Sequence, residues 1–134
     1  MKTYVFDASA LFAYLQHTPG GPKVSELLKE AANARARIVM SAINYGEVYA
    51  RVLRDSGKPA AALARGAIAA LSVELVDVTP DRARQAADAK VTYRLDYADS
   101  FAAALAFEHK ATLVTSDSDF RKLGHGVGVL WLKS

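Results

Sequence analysis

Thr3-Tyr4-Val5-Phe6-Asp7-Ala8-Ser9 decides the fold, because four β-branched or aromatic residues stop abruptly at a carboxylate. Side chains of that kind favour the pleated backbone of a buried strand, and the polar Asp7-Ala8-Ser9 ends it. Ligands of open α/β sheets bind beyond the carboxyl ends of the strands, so Asp7 occupies a position suited to function as well as structure. Its plain alternative is capping of the helix that follows.

Working outward, Ala10 to Leu15 reads as a short helix, broken at Thr18-Pro19-Gly20-Gly21, and Pro22 opens another that reaches about Asn33. Arg37 to Met40 is a brief strand, after which Ser41 is the N-cap of a helix to Arg54 that Ser56-Gly57 stops. An Ala-rich helix spans Pro59 to Leu71 and a third strand Val73 to Val78. Thr79-Pro80 then supplies the N-cap and first-turn proline of a helix to about Lys90. Ala98 to His109 is helical, Thr112 to Thr115 a fourth strand, Ser118 to Leu123 a helical turn and Val127 to Leu132 a last strand. This alternation predicts an α/β fold with a parallel sheet covered on both faces. No linker, low-complexity run or fixed-period repeat divides the chain, so one domain over residues 1–134 is expected.

At 134 residues, folding should bury roughly two-thirds of the unfolded surface, enough for a real core. The chain has no cysteine, which excludes a disulfide framework and a thiolate metal site and fits a reducing cytosol. The segment before Lys23 lacks the pattern of a secretory leader, and no apolar run approaches the ~20 residues of a membrane span. A soluble, cytoplasmic protein is expected. The formal net charge of +3 and pI of about 9.2 mildly favour a polyanionic partner. Most of the basic groupings, Arg51-Arg54-Lys58 among them, read first as solvated helix faces.

Four acids stand at exposed junctions or awkward helix faces. Asp117 follows the fourth strand as Asp7 follows the first, and the topology places those strand ends side by side. Its alternative is a helix cap worth about 1 kcal/mol, a role that Asp119 shares. Asp96 reads as an N-cap; Asp99 falls in the next turn, where acids favour the helix macrodipole, just before the apolar Phe101-Ala102-Ala103-Ala104-Leu105. In the helix after Ser41, the apolar stripe Tyr45, Val48, Tyr49 and Val52 leaves Glu47 on the side of Asn44, Arg51 and Arg54. A Glu47–Arg51 pair one turn apart is the structural alternative there. Taken singly, each acid has a structural explanation. Together, at the ends of several elements of a small α/β domain, they point to oxygen ligation of a hard cation.

These residues resemble the PIN domain nucleases, in particular the toxins of type II toxin–antitoxin systems of the VapC kind. Phe6-Asp7-Ala8-Ser9-Ala10 is similar to the first acidic motif of that family, and Ser41-Ala42-Ile43-Asn44-Tyr45-Gly46-Glu47 to the second. Tyr97-Ala98-Asp99-Ser100-Phe101-Ala102-Ala103-Ala104-Leu105-Ala106 is similar to the third, and Leu113-Val114-Thr115-Ser116-Asp117-Ser118-Asp119-Phe120 to the fourth. Each motif alone is weak, whereas four in order along the whole chain are specific. Ser116 stands where the family often has glycine and Ser100 where it often has alanine; neither departure removes an acid. The resemblance implies a five-stranded parallel sheet flanked by helices, a divalent metal site, RNA cleavage, a homodimer and a cognate antitoxin that blocks the acidic pocket.

Clustered carboxylates repel a phosphodiester and one another, so their grouping makes sense when Mg²⁺ or Mn²⁺ supplies the dominant charge. Asp7 and Asp99 are expected as direct ligands, with Glu47 and Asp117 holding metal-bound waters or a second ion, and with a water attacking phosphorus in line. Ser9 and Thr115 are expected to orient a carboxylate or a water, and Asn44 to support Glu47 from one turn away. Arg51 and Arg54 are candidates for phosphate contact, against a solvated ion pair as the alternative. His17, His109 and His125 show no pattern tying them to the acids. Two rival functions remain: a noncatalytic binding module on the same scaffold, and a phosphoaspartyl enzyme, whose usual Asp-x-Asp Asp7-Ala8-Ser9 does not match.

Overall fold

The computed structural model describes all 134 residues. Five strands form one sheet: β1 (Lys2–Phe6), β2 (Ala36–Ser41), β3 (Glu74–Val76), β4 (Thr112–Thr115) and β5 (Val129–Trp131). Their spatial order is β3-β2-β1-β4-β5 and every pairing is parallel. The helices are α1 (Ala8–Leu15), α2 (Gly21–Ala32), α3 (Ala42–Ala69), α4 (Pro80–Tyr93) and α5 (Tyr97–His109), with a 3₁₀ turn over Ser118–Leu123. The predicted α/β class, with five parallel strands flanked by helices, is the observed one.

The opening strand lies in the middle of the sheet, and its burial follows from that position. Alternate side chains of a strand face opposite sides, and both sides are covered here. Tyr4 and Phe6 enter the core layer shared with Leu11, Leu27, Val48 and Val52, while Val5 enters the opposite layer with Ala102, Leu105 and Phe120. Ile38 and Met40 of β2 divide from Val39 in the same way, as Val114 of β4 does from Leu113. This continuous apolar character is the signature of a strand buried on two faces.

The break expected at Ser56-Gly57 is present: Gly57 is non-helical at φ 86°, a conformation that costs glycine little, and a second helical segment resumes around Pro59, whose missing N–H suits a first turn. The two segments are numbered together as α3. Other local bounds change. The outer strands are shorter than the sequence indicates, Glu74–Val76 against 73–78 and Val129–Trp131 against 127–132. Each has a neighbour on one side alone, which limits how far the ladder extends. Helix α4 runs past Lys90 to Tyr93 and is ended by Arg94 in the left-handed region at φ 55°.

One close approach fixes the first helical pair. A side chain on Gly21 would meet the Ala13 carbonyl oxygen at 2.6 Å, and backbone cannot yield as a flexible side chain does. Gly21→Ala is therefore expected to destabilise the protein by about 2 kcal/mol through overpacking between α1 and α2, read as a lower urea midpoint at unchanged m-value.

The chain leaves β1 toward β2 and β3 on one side, and β4 leads to β5 on the other, so the winding direction reverses between β1 and β4. A crevice opens at the carboxyl ends of strands on either side of such a reversal. Asp7 and Asp117 emerge beside it, one residue beyond β1 and two beyond β4. No helix is long and apolar enough to cross a membrane.

Candidate functional site

Asp7 both caps a helix and faces the crevice. Its Oδ1 accepts from the Ala10 amide at 3.0 Å and the Ser9 hydroxyl at 2.7 Å, and its Oδ2 accepts from the Thr115 hydroxyl at 2.5 Å. The residue is 3% exposed. Burial pushes its carboxyl up to about 6; the hydrogen bonds from Thr115, Ser9 and Ala10 oppose that rise, and the charge of Asp117 adds to it.

Ser9 and Thr115 link the two strand ends. The Thr115 hydroxyl, completely buried, also accepts from the Asp117 amide at 2.9 Å, and the Ser9 hydroxyl accepts from the Ser116 amide at 3.0 Å. These hydroxyls thus tie β1 to the loop after β4 while orienting Asp7. Asp117 caps the 3₁₀ turn by accepting from the Asp119 amide at 2.9 Å. Capping and placement in the crevice are compatible for both residues, because a carboxylate has more lone pairs than one cap consumes.

Glu47 comes from the first half of α3, where Asn44 holds it. The Asn44 amide group donates to Glu47 Oε1 at 2.9 Å and to the Ala98 carbonyl at 3.0 Å, joining α3 to the first turn of α5. Helical periodicity grouped Asn44 with Glu47 and the arginines away from the apolar stripe; Asn44 is fully buried nonetheless, because α5 packs over that side of the helix. Asn44→Ala would leave the Ala98 carbonyl without this donor and open a small void. A loss of about 1–3 kcal/mol is expected, measured by urea denaturation in chelator so that metal affinity does not enter.

Asp99 lies in the first turn of α5, half-buried. Its carboxyl is pushed up to about 7, first by burial and then by repulsion from Asp117, Asp7, Glu47 and Asp96. Asp96 occupies the N-cap position of α5 as expected, but its side chain makes no cap hydrogen bond. Carboxylate oxygens of Asp96, Asp99 and Asp119 lie within 4.8 Å of one another. Asp96 is thus the acid of this region that the sequence reading gave to structure alone. Its three-residue spacing from Asp99, which puts both acids near the same end of one helix, was the available signal.

The four acids Asp7, Glu47, Asp99 and Asp117 line one cleft of about 660 Å³, with Phe12, Arg51 and Arg54 on its wall. None of the four is in an ion pair with a basic side chain. The Glu47–Arg51 pair does not form. Arg51 lies 4.1 Å from the centre of the Phe12 ring and 3.8 Å from Asp55, and Arg54 pairs with Asp55 at 2.9 Å. None of the three histidines lines this cleft, and no lysine does. An all-oxygen donor set, with two carboxyls held above their ordinary range by burial and mutual repulsion, fits a hard divalent cation.

The sequence model of the PIN domain family matches residues 4–126. No curated protein sequence matches the chain. Among solved structures, VapBC2 from Rickettsia felis, bound to a DNA fragment from its promoter, superposes with a TM-score of 0.75 at 17% identity, covering 98% of this chain and 99% of that one. DNA-bound VapBC from Salmonella typhimurium gives 0.75 at 14% identity, with 97% and 98% covered. VapC20 from Mycobacterium tuberculosis, a toxin described as cleaving the sarcin–ricin loop, gives 0.69 at 20% identity, with 90% and 95% covered. At these identities the superpositions establish a shared fold.

Proposed function

The chain belongs to the PIN domain family, and on that premise we propose that residues 1–134 act as a single metal-dependent endoribonuclease domain, the cytoplasmic toxin of a type II toxin–antitoxin pair. The observation that carries this reading is the convergence of Asp7, Glu47, Asp99 and Asp117 on one cleft without a basic partner. The likeness to solved VapBC structures and to a toxin described as cleaving the sarcin–ricin loop supports the biological setting.

Asp7 and Asp99 would hold Mg²⁺ or Mn²⁺ directly, with Glu47 and Asp117 acting through water or at a second ion. Bound there, the cation would offset part of the negative charge, lower the pKa of a water and stabilise charge on the phosphate oxygens. The chain itself supplies orientation. Thr115 and Ser9 fix the Asp7 carboxylate, Asn44 fixes Glu47, and Asp119 donates its amide to Asp117. Arg51 and Arg54, on the cleft wall, would meet RNA phosphates that flank the reacting one. The antitoxin would close the cleft with a cation of its own, and the toxin would work as a homodimer.

The test is digestion of RNA by purified protein with Mg²⁺ or Mn²⁺, with chelator, and with metal restored. Cleavage abolished by chelator and recovered on adding metal is the expected result. Metal binding without any cleavage would instead favour a noncatalytic module. A phosphoaspartyl reaction has less support, because no lysine lines the cleft and Asp7-Ala8-Ser9 lacks the Asp-x-Asp pattern.

A further inference from the structure

A second pocket adjoins the acidic cleft, and its lining is chemically different. It has a volume of about 470 Å³, inside the range of roughly 300–1,000 Å³ usual for small-ligand sites. Ser9, Phe12 and Arg51 belong to both cavities, so the two share a wall. Where the first cavity presents four carboxylates, the second presents the Gln16 amide and the hydroxyls of Thr18, Ser56 and Ser116. Its one anion, Asp55, is offset by ion pairs to Arg54 and Arg51.

We propose that this second pocket is a base-recognition subsite, holding the nucleobase next to the scissile phosphate of single-stranded RNA. The inference rests on the nuclease reading above. Neutral amide and hydroxyl groups suit the mixed donors and acceptors of a base edge, whereas a phosphate would call for cations. Arg51, seated over the Phe12 ring on the shared wall, provides a planar cation of the kind on which unstacked bases rest. Continuity with the reacting centre is direct: the Ser116 amide donates to the Ser9 hydroxyl, which donates to Asp7. A base in the second pocket therefore lies one short link from the first carboxylate, as the neighbour of the reacting phosphate must. Ser56, on the pocket lining, is the last residue before the break at Gly57.

The test uses a randomised single-stranded oligoribonucleotide pool, digested with Mn²⁺ and sequenced at the new ends. Gln16 and Ser56 are exposed and their side chains make no hydrogen bond within the protein, so a Gln16→Ala/Ser56→Ala double variant should fold as the parent does. The parent is expected to prefer particular bases at one position beside the cut. The double variant should weaken that preference by about tenfold while leaving other positions unchanged, and Thr18→Val should weaken it in part. Gln85→Ala, in the groove between α4 and α5, is the control and should match the parent. The subsite is overturned if the folded double variant cleaves with the parent's preference, if it loses cleavage altogether, or if the parent has no preference at that position. A parent that cleaves no RNA overturns the nuclease reading and the subsite together.

Discussion

Asp7→Asn is expected to lower metal-dependent RNA cleavage by on the order of 10³-fold, about 4 kcal/mol of transition-state stabilisation, with the fold intact. Asparagine keeps the shape and an oxygen for the Ala10 amide and the Ser9 hydroxyl. Its NH₂ would face Thr115, whose hydroxyl can accept it by turning its own proton toward Ser9, 3.2 Å away. What is lost is the charge. Burial, only partly opposed by the hydrogen bonds from Thr115, Ser9 and Ala10, raises this carboxyl from 3.8 to about 6, a cost of roughly 3 kcal/mol to keep it ionised at neutral pH without a cation. The metal-free variant should therefore melt at or above the parent temperature at pH 8, while its cleavage is lost. A variant that cleaves at the parent rate removes Asp7 from the ligand set. One that unfolds shows that its capping and strand-linking roles dominate.

Lowering the pH from about 7.5 to 5.5 is expected to weaken divalent-cation binding about a hundredfold, because two carboxyls titrating near 6 and 7 must both release protons to bind the ion. Either carboxyl at its ordinary value near 4 would be ionised throughout that range and would contribute nothing to the slope. Isothermal titration with Mn²⁺ at several pH values measures it directly, and a flat affinity would contradict both shifts. The same groups set the stability of the metal-free protein. Their folded values lie above their unfolded ones, so between about pH 4 and 7 the native state holds more protons than the unfolded chain. Stability in chelator consequently falls as pH rises through that window and levels off above it. Added Mn²⁺ should reverse the trend, raising the melting temperature more at pH 8 than at pH 5.

The acids were legible as individual positions because each lies at a junction that sequence marks: a strand end for Asp7 and Asp117, a helix start for Asp99. Glu47 was legible as the residue left off an apolar stripe. Less visible was how far capping and site formation overlap, since Asp7 and Asp117 do both. Asp96 is the N-cap residue that its position indicates, yet its side chain makes no cap bond and groups with Asp99 and Asp119. The Glu47–Arg51 pair was reasonable from spacing, but it does not form, because the Phe12 ring and Asp55 hold Arg51 elsewhere. Helical spacing gives the neighbours along one helix and says nothing of an aromatic ring brought in by another.

By itself the sequence determined the α/β alternation, the central buried strand, the N-caps at Ser41 and Thr79 and the presence of four acids at element ends. All of these rest on interactions within a few residues or on periodic burial, which local order encodes. Tertiary structure decided the rest: the burial of Asn44 beneath α5, the grouping of Asp96 with Asp99 and Asp119, and the partners of Arg51. It also decided the elevated carboxyl values of Asp7 and Asp99. Desolvation and charge repulsion depend on distances through space, and residues about a hundred positions apart acquire those distances when the sheet closes around them.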